Sequence, residues 1–124
     1  MSIAMDNLLG QLLLARTVAH VLHWKVKSLS LHLALGELYE QLTELTDELA
    51  EIYMGTYGTE GGVPVNDPAA NILSQDDPLV FIKELHDGLA QVKDSLPQDG
   101  FIINKYEEIQ ALVSRAKFKM ENLK

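Results

Sequence analysis

The chain has 124 residues, enough for one domain with a sizeable core and too few for two. Hydrophobic residues make up 47% and charged residues 23%, a globular balance, and the formal net charge of −8 disfavours a surface that binds nucleic acid all over, because phosphate contacts need a basic face. The absence of cysteine excludes disulfides, thiolate metal sites and cysteine nucleophiles.

The opening MSIAMDNLLGQLLLAR has Asp6 and no positive charge ahead of its leucines, so it reads as an amphipathic helix and not as a secretion signal. Leu8, Leu12, Ala15, Ala19, Leu22 and Val26 recur at alternating steps of four and three, which predicts a first helix over residues 6–27. Ser28 or Ser30 then breaks the pattern and caps the next helix. Leu31, Leu35, Leu38, Leu42, Leu45, Leu49 and Ile52 keep the same spacing and predict a second helix over residues 30–54, with Gly55 and Gly58 as stop signals.

GTYGTEGGVPVNDPAANILSQDD, residues 55–77, is rich in Gly, Pro, Asn and Asp and is predicted to be loop. GTEGG lacks the Lys-Ser/Thr continuation of a phosphate loop. Asp77 as N-cap and Pro78 in the first helical position open a third helix. Ile82, Leu85, Leu89, Val92 and Leu96 form its stripe, and Pro97 ends it. After the turn PQDG, Ile102, Tyr106, Ile109, Val113, Ala116, Met120 and Leu123 mark the fourth helix. No run of about 18 apolar residues predicts a membrane span. Two short connections around a long one predict an all-α, single-domain four-helix bundle over residues 1–124. The long crossover lies between helices 2 and 3, the ferritin-like arrangement.

The candidate chemistry lies in AHVLHWKVKSLSLH, residues 19–32, which holds three of the four histidines and the only tryptophan. His20 and His23 are three apart and share a helix face, as do Asp47 and Glu51, which are four apart. At 100° per residue, His32, Thr43, Asp47 and Glu51 fall outside the leucine stripe of the second helix. Ligands there would not face the core of one bundle. A metal bound by His20, His23, His32, Asp47 and Glu51 would instead lie where two subunits meet, histidines of one chain facing carboxylates of another. Iron(II) suits such imidazole and carboxylate donors, and zinc suits them too. The plainer reading makes DELAE a solvated helix surface, Trp24 a packing residue, Glu107 and Glu108 a solvated pair, and His86 an isolated side chain. In that reading His32 simply hydrogen-bonds a neighbour.

HWKVK, then LH, then a DELAE segment near the end of the second helix resembles the Dps-like branch of the ferritin-like superfamily over residues 15–55. The short chain and the ALGELYE wording also resemble small ferritin-like proteins encoded by phages. The resemblance implies an intersubunit ferroxidase centre, a homo-oligomer (a dimer or a larger shell), and a cytoplasmic place, in the host or in a virion for a phage protein. Carried over, His23 matches the first-helix histidine by its HW context, His32 the second-helix histidine, and Asp47 with Glu51 the paired carboxylates. Counted without a gap, His20 takes the first ligand position, because nine residues separate His23 from His32 where the family has about twelve. The family's carboxylate four residues after the second histidine is Gly36 here, and the E-x-x-H motif of core di-iron ferritins is absent. The alternative is a non-catalytic ferritin-like bundle with a degenerate metal site and a structural or protein-interaction role. DNA binding would rest on the tail alone, through Arg115, Lys117, Lys119 and Lys124.

Overall fold

The computed structural model describes residues 2–59 and 76–123. Four helices account for most of them: α1 (Ile3–Lys25), α2 (Leu29–Tyr57), α3 (Pro78–Ala90) and α4 (Gly100–Asn122), with a short 3-10 turn at Lys93–Ser95. No strand occurs among the described residues, and no described helix is long and apolar enough to cross a membrane.

The helices begin where side chains supply partners for orphaned backbone amides. Ser2 Oγ accepts from the Met5 amide at 3.0 Å, Ser28 Oγ from Leu31 at 3.3 Å, and Asp77 from Leu79 at 2.9 Å. Asp99 precedes α4 without capping it, because its carboxylate accepts the Tyr57 hydroxyl instead. That bond holds the Tyr57 phenol above its ordinary range.

Two predicted helix ends move. α2 runs through Gly55 and stops at Gly58, whose φ of 91° is left-handed and whose N–H reaches the Met54 carbonyl at 2.7 Å. α3 stops at Ala90, short of Leu96, and the Leu89 carbonyl near its end accepts the buried Tyr106 hydroxyl. Of the predicted loop at residues 55–77, residues 60–75 lie outside the described residues.

α1 packs along α2, α2 against α4, and α4 against α3, whereas α1 and α3 meet only slightly. The Ser2 amide donates to the Tyr53 hydroxyl at 2.8 Å, so α1 starts where α2 ends. Tyr57 meets Asp99, so α4 starts at that same end, and Lys119 pairs with Glu37 at 2.9 Å at the other. Lys25 lies 3.9 Å from Asp76, which puts the start of α3 beside the finish of α1. Helices α2 and α3 therefore run parallel, and the link between them joins opposite ends of a four-helix bundle.

The leucine stripes supply the core. Leu8, Leu12, Leu35, Leu38, Leu42, Leu49, Leu85, Leu89, Ile102 and Ile109 are buried, with Tyr53, Tyr106 and Phe81 as the largest enclosed side chains. Each such side chain contributes roughly 1.5–3 kcal/mol through removal from water. Leu9, Leu14 and Val18 are buried too, so α1 is enclosed on more than its predicted stripe.

Candidate functional site

Only Val26, Lys27 and Ser28 separate α1 from α2, so the last turn of one helix lies against the first turns of the next. His23 Nδ1 donates to the His32 carbonyl at 2.6 Å, and His32 Nδ1 donates to the His23 carbonyl at 2.8 Å. The two rings stack with centroids 3.7 Å apart and planes 19° from parallel. The His23 carbonyl is among the last four of α1, which have no partner inside the helix, so His32 satisfies an orphaned acceptor. Both Nδ1 atoms must carry the proton to donate to carbonyls. In each neutral ring the free lone pair is then on Nε2.

Gly36 explains how the His23 ring reaches this place. A Cβ at residue 36 would stand 3.0 Å from His23 Cε1 and 3.1 Å from Nδ1. Glycine at this position leaves room for the imidazole that lies across it. Above this pair, His20 stacks on Tyr39 with centroids 4.0 Å apart and planes 10° from parallel, and Trp24 lies 4.7 Å from His20. Tyr39 in turn lies 5.5 Å from His23. Trp24, His20, Tyr39, His23 and His32 thus make one run of rings across the α1–α2 seam. One turn further in the same direction, Arg16 Nε donates to Thr43 Oγ1 at 2.9 Å.

The carboxylates are elsewhere. Asp47 and Glu51 are exposed on α2, with no hydrogen bond or ion pair among the described residues. Fifteen residues of helix put Asp47 about 22 Å from His32 along the axis. Among the described residues no three His, Asp or Glu side chains lie close enough to hold a metal ion. One chain brings together His20, His23 and His32 as neighbours, and does not bring Asp47 or Glu51 to them.

Other charged groups are tied to one another. His86 bonds Asp87 at 3.1 Å, and His86 first and Lys83 second hold that carboxyl below its usual range. Lys93 pairs with Glu107, and Lys105 with Glu108 and Glu48, which raises the Lys105 ammonium above its ordinary value. In the basic tail, Lys117 pairs with Glu121 and Lys119 with Glu37; Lys124 lies outside the described residues. Two of the four cations on which DNA binding, disfavoured by the net charge, would have to depend are therefore already paired.

Two sequence readings need correction or addition. Trp24 is not a packing residue: it is 66% exposed, one face against His20 and the rest in solvent. Tyr39 and Gly36 were missed as members of the cluster. The signal was present in the steps His32, Gly36, Tyr39, Thr43, which are four, three and four residues and place all four on one side of α2.

Residues 23–120 match a family of unknown function, DUF5856. The chain belongs to that family. The DUF5856 span takes in His23, His32, Gly36, Asp47 and Glu51, and begins after His20. No curated protein and no solved structure matches the chain.

Proposed function

We propose that this protein self-associates through the outer face of its α1–α2 hairpin and binds iron(II) between copies, in the manner of the Dps-like ferritins its sequence resembles. The observation that carries this reading is the pair of Nδ1–H bonds of His23 and His32. Imidazoles held by a carbonyl at one nitrogen are oriented, and their tautomer fixed, for metal binding at the other. On α2, His32 and Asp47 are fifteen residues apart, within about 60° of the same side. A second copy related by a twofold axis across that face would place its Asp47 and Glu51 beside the histidines of the first. The mixed imidazole and carboxylate donors fit iron(II), and zinc as a competitor. Trp24, Leu29 and Leu33 are 66%, 71% and 61% exposed at one end of this hairpin, apolar surface that such an interface would cover. The chemistry of the site would be ferroxidation, each iron(II) giving one electron to dioxygen or peroxide.

The test is an iron(II) titration of metal-free protein in air, followed by the ultraviolet absorbance of iron(III) and by the mass of the product in solution. The wild type is compared with Asp47→Ala/Glu51→Ala. Saturable oxidation faster than the buffer blank, from a dimer or larger species, and lost in the double variant, is the expected result. Oxidation no faster than the blank, with no metal retained, refutes it.

A second reading has its own observation. Gly36 and the reciprocal bonds give His23 and His32 a complete structural role in fastening α1 to α2. In that reading the protein is a non-catalytic bundle acting through protein contacts, and self-association persists without iron.

A further inference from the structure

One side of α2 faces away from the bundle. At 100° per residue, Leu29, Leu33, Glu40, Glu44, Asp47 and Glu51 lie within about 60° of one another, opposite the leucines that face the core. All six are exposed. Their chemistry divides the face along its length of about 33 Å. At one end Leu29 and Leu33 are 71% and 61% exposed, and Trp24, across the turn on α1, is 66% exposed. Large apolar side chains grouped on a surface mark a contact site. From Glu40 onward the face is acidic.

Charge selects the occupant. Lys119 and Lys105 of α4 pair with Glu37 and Glu48, whereas Glu40, Glu44, Asp47 and Glu51 have no hydrogen bond or ion pair among the described residues. α2 itself contains no Lys or Arg. In α1 and the turn, Arg16 donates to Thr43 and Lys25 lies 3.9 Å from Asp76, which leaves Lys27 beside the apolar end. Glu40 with Glu44, and Asp47 with Glu51, repel as like charges four residues apart, and a cation brought from outside relieves them. A second copy laid on this face without metal would set carboxylate against carboxylate. A basic partner removes the repulsion and is drawn in by it. We propose that the outer face of α2 docks a basic amphipathic segment of another protein. Its apolar residues sit on Trp24, Leu29 and Leu33, and its Lys or Arg side chains run along Glu40, Glu44, Asp47 and Glu51. This rests on the second reading above, in which the bundle acts through protein contacts, and it names the partner's chemistry.

The probe is a synthetic helical peptide of about 24 residues without tryptophan, matched to the face. It carries two leucines near one end and arginines at steps of about four, three and four along the rest. Trp24 is the chain's only tryptophan, so its emission reports on the apolar end. Titrated into the metal-free full chain, the peptide should shift that emission to the blue, saturating at one peptide per chain and weakening as salt is added. Leu29→Ala/Leu33→Ala should weaken binding by at least about tenfold. Glu40→Gln/Glu44→Gln should weaken it by about threefold to tenfold. Neither variant should lower the melting temperature, since all four residues are exposed, so loss of binding is separable from loss of fold. Glu40 and Glu44 lie outside the proposed iron site, so iron chemistry does not enter the result. No shift in Trp24 emission, equal binding of a control peptide with glutamate for arginine, or binding unchanged in both variants would each overturn the assignment. A chain that self-associates in solution but ignores the peptide overturns it and leaves the second reading standing; a chain that does neither overturns both.

Discussion

Two glycines set inside helices show how one substitution takes opposite signs. At Gly88 a methyl group meets open space, so Gly88→Ala should stabilise the protein by up to about 1 kcal/mol through helix propensity. At Gly36 the same change gains that propensity but presses on a ring that cannot retreat, because the 2.6 Å bond to the His32 carbonyl pins it. Displacing the ring loses that bond and its reciprocal, each worth about 1 kcal/mol, together with the stacking. Gly36→Ala should therefore destabilise by about 1 kcal/mol net, and urea unfolding of the two variants side by side measures both signs. Tyr106 gives a second prediction. Burial pushes its phenol from 10.0 up to about 12. The unfolded chain releases this proton near pH 10 and the folded chain does not until about pH 12. Stability from this group is complete below pH 10 and falls as pH rises to 12. Tyrosine absorbance near 295 nm should show a component, missing in Tyr106→Phe, that ionises only as the fold is lost, and Tyr106→Phe should flatten the alkaline fall in stability. The cluster of histidines at residues 20–32 was visible in the sequence, but not what they touch. The imidazoles of His23 and His32 bond each other's carbonyls, a tertiary arrangement that periodicity does not encode.

At the level of helices the sequence was legible wherever a cap and a stripe agreed. Asp77 with Pro78 gave the start of α3, and the leucines of α2 gave its buried side. The ends were misread where tertiary contacts override local preference. Gly55 is a weak helix residue, yet α2 continues past it because Tyr57 is anchored to Asp99 and its ring lies 5.6 Å from that of Tyr53. α2 also carries an unbalanced charge: six acids, from Glu37 to Glu51, and no Lys or Arg. Lys119 and Lys105 of α4 neutralise Glu37 and Glu48. Glu40 with Glu44, and Asp47 with Glu51, remain as like-charged neighbours, each pair unfavourable by about 0.2–0.5 kcal/mol. Thermal melts should therefore show stability rising by up to about 1 kcal/mol as ionic strength goes from about 0.01 to 0.15 M, where screening shortens from about 30 to 8 Å. Asp47→Ala/Glu51→Ala should remove part of that salt dependence; a double variant with the wild-type slope would show that these carboxylates do not repel.

For the whole molecule, the direction of each helix matters more than its length. α1 with α2, and α3 with α4, are antiparallel neighbours formed from nearby sequence, and the main contact between the two pairs is α2 against α4. The predicted long crossover agrees with α2 and α3 lying parallel. The apolar stripes were legible, but nothing in them foretold that α1 and α3 would stand apart, because a stripe records that a face is covered and not how closely its neighbour approaches. The parallel pair has a consequence for how the molecule comes apart. A chain divided between Thr59 and Asp76 would leave two hairpins, each with its own turn intact and each with an apolar side shaped for the other. Mixed in equal amounts, these complementary fragments should recover the helical content and cooperative melting of the parent, while either one alone should melt broadly. Failure of the mixture to melt as one unit would mean that the covalent link, and not the α2–α4 seam, holds the halves together.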